Sequence, residues 1–178
     1  MNLNFIKSIT WDEVFSSWEK SEANLPHWIA HYKKRGFDSW KEWRKDSIKN
    51  LHPEQLKWEL YEITDPLSAI PEFYGGPFRS WKKKYYGDKE ILQFKELAKK
   101  PELQNDIRIN EIIKKFPKES TLIGIRKDKN VIIVEGMHRS CALAVAKEKG
   151  ITINTKLFIV LTEFHGDMPI LGQENSPT

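Results

Sequence analysis

The residues of this 178-residue chain best placed to do chemistry stand in one unbroken string, V-I-I-V-E-G-M-H-R-S-C-A-L-A-V-A, starting at Val131. A β-branched run delivers the carboxylate of Glu135, then Gly136, then His138 and Arg139 where a helical pattern begins. The first N–H groups of a helix have no partner within it and sit at the positive end of its dipole, so such a turn accepts an anion. Gly136 lets the backbone turn tightly and an anion come close. Arg139 can hold two phosphate oxygens through its planar fork, and His138 can donate one hydrogen bond and change charge near neutral pH. Ser140 can cap the helix or bond a phosphate directly.

Glu135 beside an anion is unfavourable unless a divalent cation such as Mg²⁺, or a hydroxyl-bearing substrate, lies between them. The spacing therefore assigns Glu135 to a metal and the turn Gly136, Met137, His138, Arg139 and Ser140 to the phosphates, which points to phosphate chemistry more than to anion storage. Plainer roles stand beside these. Arg139 can pair with a carboxylate of its own chain, His138 can be structural, and Glu135 can be an ordinary strand-end carboxylate. Cys141, next to Ala142 inside the helix, reads as a small core residue.

The elements that must position this turn follow from hydrophobic period. Leu122 to Arg126 and Val131 to Val134 read as strands joined by the polar hairpin Lys127 to Asn130, with a helix from Ser140 to Lys149 stopped at Gly150 and a strand from Thr155 to Leu161. Upstream, Trp58 to Ile63 reads as a strand. The loop from Pro71 to Phe78 carries two adjacent glycines able to approach a ligand closely. Glu90 to Lys99 and Asn105 to Phe116 read as helices.

Six of the seven tryptophans lie at or before Trp58. Trp11, Val14, Phe15 and Trp18 make an amphipathic stripe, with Thr10 and Glu13 as a capping box. Trp28, Ile29 and Tyr32 carry a second helix to Gly36, and Ser39 caps a third through Trp40 and Trp43. Tryptophans at this spacing make core; a base-stacking platform is the alternative.

Lys and Arg number 29 against 25 Asp and Glu, a formal charge of +4 shared along the chain, which suits a polyanionic ligand without demanding a nucleic acid. The single cysteine leaves no intramolecular disulfide and no thiolate zinc cluster. A reducing compartment, the cytoplasm, is the expectation, and the chain has no apolar run of the roughly 20 residues that span a bilayer.

The string E-G-M-H-R-S-C-A-L-A-V-A resembles the D/E-G-x-H-R-x-x-A-x-x-x-A motif of the ParB/sulfiredoxin superfamily, and Y-E-I-T-D-P-L-S-A-I-P resembles the superfamily's opening strand and short loop helix. The resemblance covers roughly residues 56 to 164. It implies an α+β fold, a small mixed sheet flanked by helices; outside it lie the Trp-rich helical extension over 1 to 55, which matches nothing in the superfamily, and a polar tail over 165 to 178.

Sulfiredoxins place a nucleophilic cysteine where this chain has Met137, so that activity is not expected. ParB proteins read DNA through a module that follows this fold, and the segment after Leu161 is short for one, so nucleic acid is a disfavoured partner. The free serine kinases of the superfamily imply the remaining reading. ATP or ADP, or CTP, would lie on the Glu135 to Arg139 turn with Mg²⁺, and Glu72 of the early loop, with Glu62 as the second candidate, would be the base that activates a small hydroxyl-bearing substrate. The expectation is thus a phosphotransferase or nucleotide hydrolase with Glu72, Glu135 and His138 as catalytic residues. The alternative is a non-catalytic nucleotide- or nucleic-acid-binding module using Arg79, Trp81, Lys82, Lys83, Lys84 and Tyr85.

Overall fold

The computed structural model describes residues 3–172. Among them one mixed sheet is built from β1 (Leu3–Ile9), β2 (Trp58–Ile63), β3 (Tyr74–Gly75), β4 (Leu92–Gln93), β5 (Glu119–Lys127), β6 (Asn130–Glu135) and β7 (Lys156–Glu163), in the order β1-β2-β7-β5-β6-β3-β4. β5 runs parallel to β7 and β3 parallel to β6, while the other neighbours are antiparallel. The helices are α1 (Trp11–Glu22), α2 (Pro26–Lys34), α3 (Trp40–Ile48), the short α4 (Pro66–Ala69), α5 (Arg79–Trp81), α6 (Phe94–Leu97) and α7 (Pro101–Gln104), then α8 (Ile107–Lys114) and α9 (Met137–Glu148). The architecture is α+β, as the sequence implies.

Successive side chains of a strand point to opposite faces, and here both faces are covered. Val131 and Ile133 of β6 belong to one core with Leu122, Ile159 and the α9 residues Cys141, Ala142, Leu143 and Val145. Ile132 and Val134 belong to the other, with Trp11, Trp18, Trp40, Trp43 and Trp58. The tryptophan helices therefore pack on the sheet face away from α9. Thr10 starts them as expected: its backbone N–H donates to the Glu13 carboxylate at 2.8 Å, and the Glu13 N–H donates to the Thr10 hydroxyl at 3.3 Å.

Three elements depart from the sequence reading. β1 had no signature, because most of its side chains are exposed and no apolar alternation marks it, yet it pairs with β2 from Leu3↔Ile63 to Ile9↔Trp58. The first 55 residues are thus part of the sheet as well as a layer over it. The helix expected over Glu90 to Lys99 begins only at Phe94, since Leu92 pairs with Gly75 in β3 and the Phe94 amide bonds to the Phe73 carbonyl at 2.9 Å. The polar tail folds back as far as Leu171, which is buried and bridged to Phe78. Beyond Gly172, the segment expected to be loose lies outside the described residues. Among the described residues no helix is long and apolar enough to cross a membrane.

Candidate functional site

The end of β6 and the start of α9 form the strand-turn-helix read from the sequence. Gly136 turns it with φ +96, and a Cβ there would stand 2.2 Å from the Leu122 side chain, so both conformation and space require glycine. Helix α9 then begins at Met137, with the Ser140 amide bonded to the Gly136 carbonyl at 2.9 Å.

Arg139 is closed by its own chain. Its Nη2 donates to both oxygens of Glu135, at 2.5 and 2.6 Å, and its Nη1 donates to the Thr121 carbonyl at 3.1 Å and to the Ser120 hydroxyl. Of the two roles open to Arg139, the structure holds the carboxylate pairing. Burial pushes the Glu135 carboxyl above its ordinary range, Arg139 pulls it back down, and Glu22 adds to the rise. Both Glu135 oxygens are occupied, and among the described residues no three His, Cys, Asp or Glu gather to hold a metal. Donors arranged this way do not fit the magnesium ion expected at Glu135.

Glu135, Gly136, Met137, His138 and Arg139 line a cavity of about 1010 Å³ that they share with α1, α2 and α3. His138 meets the Trp81 ring edge-on at 5.3 Å. Burial, then the nearby Arg108 charge, lowers its pKa to about 4, so it is neutral at pH 7. Two expected residues stand apart. Ser140 is fully buried, does not line the cavity, and its hydroxyl has no hydrogen-bond partner among the described residues. Glu72 is the exposed end of a turn whose Ile70 and Pro71 are buried, pairs with Lys95 at 2.7 Å, and does not line the cavity that holds Glu135 and His138.

The other lining residues were not legible as a site. Arg44 of α3 donates to Glu22 of α1 from Nη2 at 2.5 Å and from Nε at 3.1 Å, and the same carboxylate oxygen accepts from Trp40 Nε1 at 3.1 Å. The Arg44 guanidinium lies 4.0 Å from the Trp43 ring centre, 4.6 Å from Trp18 and 4.8 Å from Trp28. One signal was present: Glu22 follows Trp18 by four residues and Arg44 follows Trp40 by four, so each puts a charge on an apolar helix stripe.

Arg35 and Arg108 line the cavity as well, with Arg108 5.6 Å from the Trp28 ring centre. Loss of hydration lowers the pKa of both guanidinium groups. His31 packs between Trp28 and Trp43, at 5.4 and 4.9 Å. Its pKa falls to about 4 through burial first, then through Arg35, Arg44 and Arg108. Glu119 reaches the same cavity from an exposed position on β5. Trp28 is half-buried, whereas Trp11, Trp18, Trp40, Trp43 and Trp58 are core, so the packing role holds for those five and Trp28 alone of the six is partly exposed.

The basic-aromatic stretch offers less than its sequence suggests. Trp81 and Tyr85 are buried, leaving Lys83 and Lys84 exposed without rings for bases to stack on. The glycine pair also turns inward: a Cβ at Gly75 would meet the Tyr86 hydroxyl at 2.3 Å, and one at Gly76 the Ile133 carbonyl at 2.5 Å. Compared with protein-family models, with curated proteins and with solved structures, the chain matches none.

Proposed function

We propose that this protein binds a nucleotide, as a ParB/sulfiredoxin-like protein whose ligand lies in the cavity between the start of α9 and the tryptophan helices. The observation that carries this reading is the shared lining. The Gly136 to Arg139 turn, two arginines that form no ion pair among the described residues and the half-buried ring of Trp28 all border one space of about 1010 Å³. Small-molecule sites reach roughly 1,000 Å³ and join apolar walls to a few convergent polar groups. A ring against Trp28 and an anion at the arginines match a nucleotide by chemistry.

Phosphoryl transfer to a small hydroxyl compound is the reaction that the motif suggests. It needs a base, and charge stabilisation, at the phosphates. Glu72 lies away from the cavity and Glu135 is tied to Arg139, so binding without transfer is the reading better supported. The test is a thermal-shift series with ATP, ADP, CTP and GTP, each with and without Mg²⁺. A ligand held by the native state raises Tm by mass action. The expected result is a rise with at least one nucleotide that does not depend on Mg²⁺. No rise with any of them overturns nucleotide binding, and turnover of ATP, ADP or CTP with Mg²⁺ makes the protein an enzyme.

A further inference from the structure

Four arginines line the cavity, and two of them are neutralised from within. Arg139 is closed by Glu135 and Arg44 by Glu22. Arg35 and Arg108 make no ion pair and no side-chain hydrogen bond among the described residues. Arg35 caps the C-terminus of α2, and Arg108 stands in the first turn of α8, close to Trp28.

Ion pairing does not account for this arrangement. A cation in the first turn of a helix faces the positive end of the dipole, so the position of Arg108 costs α8 stability. Two like charges lining one space repel each other; among the described residues no carboxylate lies within ion-pair distance of either, and Asp106 and Glu22 act on Arg108 only from further off. Trp28 and His31 add a half-buried indole and an imidazole beside them.

We propose that Arg35 and Arg108, with Trp28 and His31 beside them, form the anion-binding end of the cavity. They take the phosphoryl group of a ring-bearing phosphate, so the ligand's charge rests on the helical layer and not on the Glu135–Arg139 turn. This rests on the nucleotide reading above and names the residues that meet the charge. Each guanidinium presents a planar fork to phosphate oxygens, and such charge-assisted bonds are stronger than neutral ones. The two sides of the site then divide the work. Arg139 with Glu135 holds the turn in shape, Arg44 with Glu22 ties α3 to α1, and the two remaining arginines recognise the ligand.

The experiment titrates the full chain, wild type and the variants Arg35→Gln and Arg108→Gln, with inorganic pyrophosphate, ADP and adenosine by calorimetry, and records Tm for each protein without ligand. ADP and pyrophosphate should bind wild type, adenosine more weakly than ADP. Each substitution should weaken both anions by about tenfold or more. Unliganded Tm should hold or rise, because no partner is left unpaired. Variants that bind ADP as wild type does would overturn the assignment and leave the nucleotide cavity standing. Arginine-dependent binding of pyrophosphate with no binding of any nucleotide would keep the anion site and remove the nucleotide reading. Failure of wild type to bind either pyrophosphate or ADP removes both.

Discussion

Glu135 ends β6 and Arg139 stands one helical turn later in α9, and a single nitrogen of Arg139 bonds both oxygens of Glu135, at 2.5 and 2.6 Å. The other terminal nitrogen reaches back to Thr121 and Ser120 on β5. One side chain thereby ties two strands to the start of the helix. A pair that looks in sequence like a metal ligand beside a phosphate clamp is, in space, a brace for the turn.

That brace predicts a large effect for Arg139→Ala. Its removal leaves the buried Glu135 carboxylate without a partner, which costs about 3 to 5 kcal/mol in comparable cases. The double change Glu135→Gln with Arg139→Gln removes both charges and should recover part of the loss. Urea unfolding of the three proteins decides the matter, and an Arg139→Ala protein within about 1 kcal/mol of wild type would mean that the pair is not structural.

Gly136 gives a prediction of a different kind. Gly136→Ala forces a side chain into φ +96 and against Leu122, so it should cost about 2 kcal/mol or more. Leu122→Ala in the same chain opens the space without relieving the backbone. The Gly136→Ala penalty should therefore be smaller in the Leu122→Ala background than in wild type, while remaining above zero.

What the sequence could and could not convey follows from how local each signal is. The Thr10–Glu13 box, the strands β5 to β7, the turn at Gly136 and helix α9 are specified by neighbours within a few residues, and they were legible. β1 was not, because an exposed strand carries no alternation, and β3 and β4 are two residues each, too short for a period. The site divides in the same way. Its α9 half is one contiguous string, whereas Glu22, Trp28, Arg35, Arg44 and Arg108 meet only through packing of helices distant in sequence. Glu72 failed to reach the cavity for a related reason: its outward position is set by the burial of its neighbours Pro71 and Phe73, not by its own chemistry.

Acid stability should report on His138. Its ordinary pKa of 6.5 falls to about 4 in the folded protein, chiefly through burial. Between those values the unfolded chain takes up a proton that the folded one refuses. The contribution is therefore complete above about pH 6.5 and lost as pH falls towards 4, by about 3 kcal/mol. Glu135, with its raised pKa, works in the opposite direction but is present in both wild type and His138→Gln. The difference between their unfolding free energies across pH 7 to 4 isolates the histidine. Parallel curves for the two proteins would show that His138 is not buried in its neutral form.

Trp28 and Trp43 face each other with ring centres 5.3 Å apart, yet their environments predict opposite behaviour. Trp43 is 5 % exposed and belongs to the tryptophan core, so Trp43→Ala should cost about 3 to 5 kcal/mol of stability. Trp28 is only half-buried and lines the cavity, so Trp28→Ala should cost less stability and instead weaken ligand binding. Stacking of a base on an aromatic side chain is worth about 1 to 3 kcal/mol, or roughly five- to 150-fold in Kd. The comparison that matters is ADP against pyrophosphate. If Trp28 stacks the ring, Trp28→Ala weakens ADP strongly and pyrophosphate little, because pyrophosphate has no ring to lose. Equal weakening of the two would mean that Trp28 acts only by holding Arg108 in place, since the indole and that guanidinium are neighbours at 5.6 Å.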